Sequence, residues 1–195
     1  MTTPDWPALL DEALGNYQPV VVMLAGSNGA GKTTFYRRYL PGTGLPFVYA
    51  DEIARAIDPR LPETNSYQAM QLADVLRADL IQHRLSFCME TVLSDTHGAK
   101  LGFLEQARKV GYCIVVIFIR IASPDLSAAR VSQRVLQGGH DVPASKLRER
   151  FPRTQSNAAK AMAIAHLGIV LDNSSARAPY AWRETWRNGR LIAAA

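Results

Sequence analysis

The residues best equipped for chemistry form one run, Gly26-Ser27-Asn28-Gly29-Ala30-Gly31-Lys32-Thr33, followed at once by Thr34. Its spacing, G-x-x-x-x-G-K-[ST], is that of a phosphate-binding loop. Glycines let the backbone curl so that successive N–H groups point inward at a polyphosphate. A helix opening at Gly31 adds unpaired amides and a positive dipole end. Lys32 is expected to reach the β- and γ-phosphates of ATP, and the Thr33 hydroxyl to hold Mg²⁺. The plain alternative is a glycine-rich turn that binds nothing. The context argues against it, because an apolar strand-like run, Val20 to Ala25, precedes the loop and a helix-capable run follows.

Two acids fall where such a site needs them. Asp51 follows the short strand-like run Phe47-Val48-Tyr49-Ala50, and Glu90-Thr91 follows Ser86-Phe87-Cys88-Met89. Carboxy-terminal strand ends are where open α/β sheets place their ligands. Asp51 has two readings, a helix cap for the residues after it and a catalytic acid, and these can coexist. Between 120 and 153 lie Arg120, Arg130, Arg134, Arg148, Arg150 and Arg153, with few acids among them. Arg130 and Arg134 share a helix face. A helix, the break Gly138-Gly139 and a second helix from about Pro143 make a flap of about 130–153, suited to closing over phosphates. The plain alternative is a solvated basic hairpin of helices.

These residues need a frame, and the chain supplies an α/β pattern. Strands are expected at 20–25, 47–50, 86–89, 112–119 and 166–171. Helices are expected at 5–15, 31–40, 65–84 and 98–110, and in the arginine-rich stretch. The helix over 65–84 carries Met70, Leu72, Ala73, Leu76, Leu80 and Ile81, read as a core-facing stripe. Pro152 is expected to kink or restart its helix. Tyr180 to Ile192, with Asn188-Gly189 in the middle, reads as a hairpin. The chain has 195 residues, 48% of them hydrophobic, and neither repeats nor linkers, which suits a single domain over 1–195. No stretch is apolar for long enough to span a bilayer, and the N-terminus lacks signal-peptide features, so a cytoplasmic protein is expected. Cys88 and Cys113 sit in apolar runs and read as buried free thiols. The net charge of +5 allows a nucleic-acid partner. Aromatics other than Phe151 do not interleave with the arginines, so such a partner is not expected.

Five elements together resemble the zeta-toxin-like P-loop kinases. They are Gly26 to Thr33, Ala50-Asp51-Glu52-Ile53-Ala54, Glu90-Thr91, Arg134-Val135-x-x-Gly138-Gly139-His140-x-Val142-Pro143, and Asp172-Asn173-Ser174. The likeness covers about residues 20–175 and is closest to short, stand-alone bacterial members. It implies a three-layer sandwich with a mostly parallel sheet, like the nucleoside and shikimate kinases. It also implies ATP- and Mg²⁺-dependent phosphorylation of a small molecule, which in the best-known members is UDP-N-acetylglucosamine. Carried across by position, Asp51 would accept the acceptor's hydroxyl proton and Glu90, with Thr91, would bind the acceptor. Arg134 would be the first lid arginine, and Arg150 or Arg153 the second. An antitoxin partner is not indicated, since no segment obviously serves to bind one. Two rival readings stay open: a nucleic-acid 5′-kinase, and a regulatory module that binds ATP without transferring phosphate.

Overall fold

A computed structural model of the chain describes residues 5–58, 65–137 and 141–195. Its centre is a seven-stranded sheet of order β2-β3-β1-β4-β5-β6-β7. The strands are β1 (Val20–Ala25), β2 (Phe47–Val48), β3 (Phe87–Thr91), β4 (Cys113–Arg120), β5 (Leu167–Asp172), β6 (Ala181–Arg187) and β7 (Arg190–Ala194). The first five run parallel, and β6 and β7 add an antiparallel hairpin. Every residue of β1 is fully buried, as expected of a central strand covered on both faces.

The helices are α1 (Trp6–Asn16), α2 (Lys32–Tyr39), α3 (Ala50–Ile57), α4 (Ser66–Gln82), α5 (Ala99–Lys109), α6 (Pro124–Leu136) and α7 (Ala144–Ile164). Strand alternation sorts the core into two layers. Val21, Met23 and Ala25 face Ala73 and Leu80 of α4, Leu104 of α5, and Ala158 and Ala161 of α7. Val20, Val22 and Leu24 face Leu10 of α1, Phe35 of α2, and Tyr180. The result is the expected helix–sheet–helix sandwich. Both cysteines are buried and free. No helix among the described residues is long and apolar enough to cross a membrane.

Four expectations need correction. The strand after the loop helix is only Phe47–Val48, because the helical turn already begins at Ala50. Asp51 therefore lies inside the first turn of α3, and Tyr49 holds the cap position without a side-chain cap bond. The capping reading of Asp51 fails, although an acid in a first turn still favours the helix dipole. The apolar stripe of α4 is not all core. Ala69, Ala73, Arg77 and Leu80 are buried, whereas Met70, Leu72 and Leu76 are exposed. Leucines at helical spacing here mark an outer face, and small alanines let the helix approach the sheet closely. Finally, α7 runs unbroken through Pro152. The carbonyl that proline leaves unpaired, on Arg148, lies on an exposed stretch where water can satisfy it.

The hairpin turns on Asn188 and Gly189, whose φ angles of 48° and 75° are those of a tight primed turn. A Cβ on Gly189 would lie 2.4 Å from the Ala163 carbonyl oxygen at the end of α7. Gly189→Ala should therefore lower stability by about 1–3 kcal/mol, read from the midpoint of urea unfolding.

Candidate active site

The loop between β1 and α2 owes its shape to where its carbonyls go. Ser127 Oγ donates to the Asn28 carbonyl at 2.7 Å, and Arg130 Nη1 to Gly29 at 3.3 Å. Asn173 Nδ2 donates to Ala30 at 2.8 Å, and the Tyr180 hydroxyl to Gly31 at 2.9 Å. Lys32 Nζ spans the loop from inside, reaching the carbonyls of Gly26 at 2.8 Å and Ser27 at 3.1 Å. Gly31 has φ 95°, and an added Cβ would meet Asn173 at 2.6 Å and Tyr180 at 2.9 Å. Only glycine permits those two supports to approach. The first amides of α2, at Lys32, Thr33 and Thr34, have no intrahelical acceptor, and all three residues line a cleft of about 640 Å³.

Lys32 and Glu90 form a buried pair, Nζ to Oε1 3.5 Å, with side chains 5% and 10% exposed. Burial pulls the Lys32 pKa down, against the attraction of Glu90. Burial pushes the Glu90 pKa up, against Lys32 and the Thr33 hydroxyl. Thr33 Oγ1 donates to Glu90 Oε2 at 2.8 Å. Parallel pairing of β1 with β3, with Leu24 opposite Glu90, brings these residues together. Asp51 is steered by its neighbour, since the Tyr49 hydroxyl donates to Asp51 Oδ2 at 2.6 Å. Tyr49 itself is buried, which drives its phenol well above its ordinary pKa, so it stays a donor.

The cleft collects most of the residues singled out in the sequence. Its walls include Asn28, Gly29, Gly31, Lys32, Thr33, Thr34, Asp51, Glu90, Thr91, Arg134 and Arg150. Gly26, Ser27 and Ala30, in the same loop, are buried and outside the cleft wall. Arg153 is turned elsewhere. Its Nε donates to the Ser94 carbonyl at 3.1 Å, and Nη1 pairs with Glu149 at 2.9 Å. Thr154 and Asn157, next along the same face, bond the carbonyls of Val92, Leu93 and Asp95. The run Arg153-Thr154-x-x-Asn157 thus clamps the loop that follows Glu90-Thr91. The Gly138-Gly139-His140 break falls outside the described residues.

Several contributors were not legible as site residues. Tyr49, Arg77 and Lys100 also border the cleft, beside Arg130 and Val142 of the expected flap. A tyrosine two positions before a strand-end acid was the available signal for Tyr49. Arg77 and Lys100 carried none, because each sits in an ordinary amphipathic helix.

The Zeta toxin family model matches residues 9–184. This chain belongs to the zeta toxin family. An uncharacterized protein of Haemophilus influenzae is 26% identical over 134 residues, spanning 69% of this chain and 94% of that one. Among solved structures, the AvrRxo1-ORF1:AvrRxo1-ORF2 complex with sulphate ions matches with TM-score 0.64 and 17% identity over 95% of this chain and 67% of that one. The PezAT chromosomal toxin–antitoxin system of Streptococcus pneumoniae matches with TM-score 0.63 and 17% identity, over 88% and 78%. A putative kinase from Chloroflexus aurantiacus matches with TM-score 0.54 and 19% identity, over 69% and 77%. At such identities the structural likeness establishes the fold. That fold, in a zeta toxin family member with this loop, supports an ATP-dependent kinase in general terms.

The end of β5, next to Asn173, responds to acid. Asp172 accepts bonds from the Ser174 hydroxyl and amide, and pairs with Arg120 and Arg183 at 3.4 Å each. Burial raises its pKa, but Ser174 and the two arginines outweigh burial and hold it below its ordinary value. The unfolded chain then binds the proton more readily, so this contribution is present at neutral pH and lost as pH falls through the lowered value. Asp172→Asn should destabilise the protein at pH 7 and make the loss of stability below about pH 4 shallower. Urea midpoints measured across pH check both.

Proposed function

We propose that this zeta toxin family member transfers the γ-phosphate of ATP to a hydroxyl of a small acceptor. A UDP-N-acetylsugar or related nucleotide-sugar is the acceptor that the family resemblance suggests. The observation that carries the reading is the convergence on one cleft of the loop residues, Lys32, Asp51 from the first turn of α3, Glu90 from β3 and arginines from two helices.

The residues suit a triphosphate. Ser27 Oγ is buried with no partner among the described residues. Lys32 would exchange its carbonyl partners for phosphate oxygens. Thr33 and Glu90 offer hard oxygen donors already 2.8 Å apart, which suits Mg²⁺. A Mg²⁺ held there would neutralise charge on the phosphate oxygens. Such ions take few protein ligands, consistent with the lack of a three-ligand cluster among the described residues.

Asp51, oriented by Tyr49, would receive the proton as the acceptor oxygen bonds to the γ-phosphorus and the bond to the β,γ-bridging oxygen breaks. Base assistance of this kind is worth about 10²–10⁴ in rate. Arg134 and Arg150 would lie over the charge spread on the transferring group. Arg150 is favoured as the second lid arginine because it borders the cleft while Arg153 holds the loop at Ser94. Glu90 is favoured in the metal shell, since its Oε2 lies beside the Thr33 hydroxyl.

Lys32→Ala should abolish ATP turnover. Asp51→Asn should keep ATP affinity and lower transfer by about 10²–10⁴. Incubation with ATP and a panel of nucleotide-sugars, read as a mass gain of one phosphate, tests both variants. Full transfer by Asp51→Asn would remove it as the base, and no mass gain across the panel would reject a nucleotide-sugar acceptor. Arg150→Ala should reduce kcat far more than Arg153→Ala, whose main effect should appear in thermal stability. Steady-state kinetics with parallel melting curves separate them, and equal losses of kcat would undo the assignment.

A further inference from the structure

Two cations in the cleft belong to neither the phosphate loop nor the arginine helices. Arg77 comes from the middle of α4, and Lys100 from the first turn of α5. Both line the cleft, and both converge on one carboxylate oxygen. Arg77 Nη1 lies 2.5 Å and Lys100 Nζ 2.6 Å from Asp74 Oδ1. Asp74 is half exposed and forms no part of the cleft wall. The two cationic groups thus meet at the border of the cleft, held together by an acid that is not part of its wall. One carboxylate offsets one charge and leaves the other uncompensated.

Arg77 is also unusually deep. It is 4% exposed, and among the described residues Nη1 alone of its nitrogens has a protein acceptor, with Nε buried and unpartnered. A guanidinium at this depth ordinarily engages a carboxylate or phosphate with more than one N–H. Burial weighs against its charge, with Asp74 as the opposing attraction. α4 packs against α3, which carries Asp51, so the pair stands on the acceptor's side of the site.

Resting on the phosphotransferase reading, we infer that Arg77 and Lys100 form an anion subsite holding an acidic group of the acceptor, a phosphate or a carboxylate. The acceptor hydroxyl would then be presented to Asp51 from an anchor at its charged end. A neutral acceptor would leave the buried guanidinium short of partners, and that mismatch discriminates against it.

The test is calorimetric, on the full chain saturated with Mg²⁺ and a non-hydrolysable ATP analogue. Inorganic phosphate and, separately, malonate are titrated in. Saturable binding of at least one is expected, with tighter phosphate pointing to a phosphorylated acceptor and tighter malonate to a carboxylic acid. Lys100→Gln should weaken that binding about ten-fold or more, as for one charge-assisted hydrogen bond. Arg77→Lys, which keeps the charge but not the fork, should weaken whichever anion binds. The analogue's own affinity, measured on each variant, shows that the fold and the phosphate loop are intact. Binding of neither anion by the wild type, or equal binding by Lys100→Gln, overturns the subsite. Failure of the wild type to bind the analogue would strike the kinase reading instead, and the anion titration would then be read on the protein alone.

Discussion

The site depends on keeping the carbonyls of one loop occupied. From Gly26 to Gly31 every carbonyl oxygen accepts a hydrogen bond. Four of the donors are side chains far along the chain, on α6 and in the segment after β5. A peptide group whose oxygen is held outward must turn its N–H the other way. The carbonyls of Asn28, Ala30 and Gly31, held by Ser127, Asn173 and Tyr180, thus leave the amides of Gly29, Gly31 and Lys32 for an anion, whereas Lys32 holds the Gly26 and Ser27 carbonyls from inside. Gly31 shows how tight the constraint is, since even a methyl group would collide with the side chains that fix the loop.

A second layer of positioning comes from α7. Its residues Arg153, Thr154 and Asn157 bond the carbonyls of Val92 to Asp95, directly after the strand that delivers Glu90 and Thr91. One turn earlier, Arg150 faces the cleft. The same helix thus fixes one wall of the site and brings a cation to another. An uninterrupted α7 matters here, because a break at Pro152 would uncouple the two faces.

The electrostatics are poised rather than settled. Lys32 and Glu90 are both buried, and burial opposes the charge on each. Their mutual attraction offsets only part of that cost, as is common for ion pairs withdrawn from water. Phosphate oxygens would give Lys32 further partners, and a cation would do the same for Glu90.

How much of this was legible beforehand follows from the range of each interaction. The loop, the strands expected at 20–25 and 112–119 and the Asn188-Gly189 turn are local. Their residue types and spacing set backbone geometry within a few positions, so the linear text determined them. The parallel α/β fold followed as well, because apolar strands alternating with helices have few ways to bury both faces. What only the folded molecule decided is long-range. The tether of Asn173 and Tyr180 to the loop spans well over a hundred residues. Whether Arg150 or Arg153 looks into the cleft depends on how α7 is rotated against the 92–95 loop. The burial of Arg77, on a helix whose Leu72 and Leu76 face out, depends on how closely Ala69 and Ala73 let α4 approach the sheet. A sequence carries periodicity, but the rotation of a helix about its own axis is set by the surface it packs against.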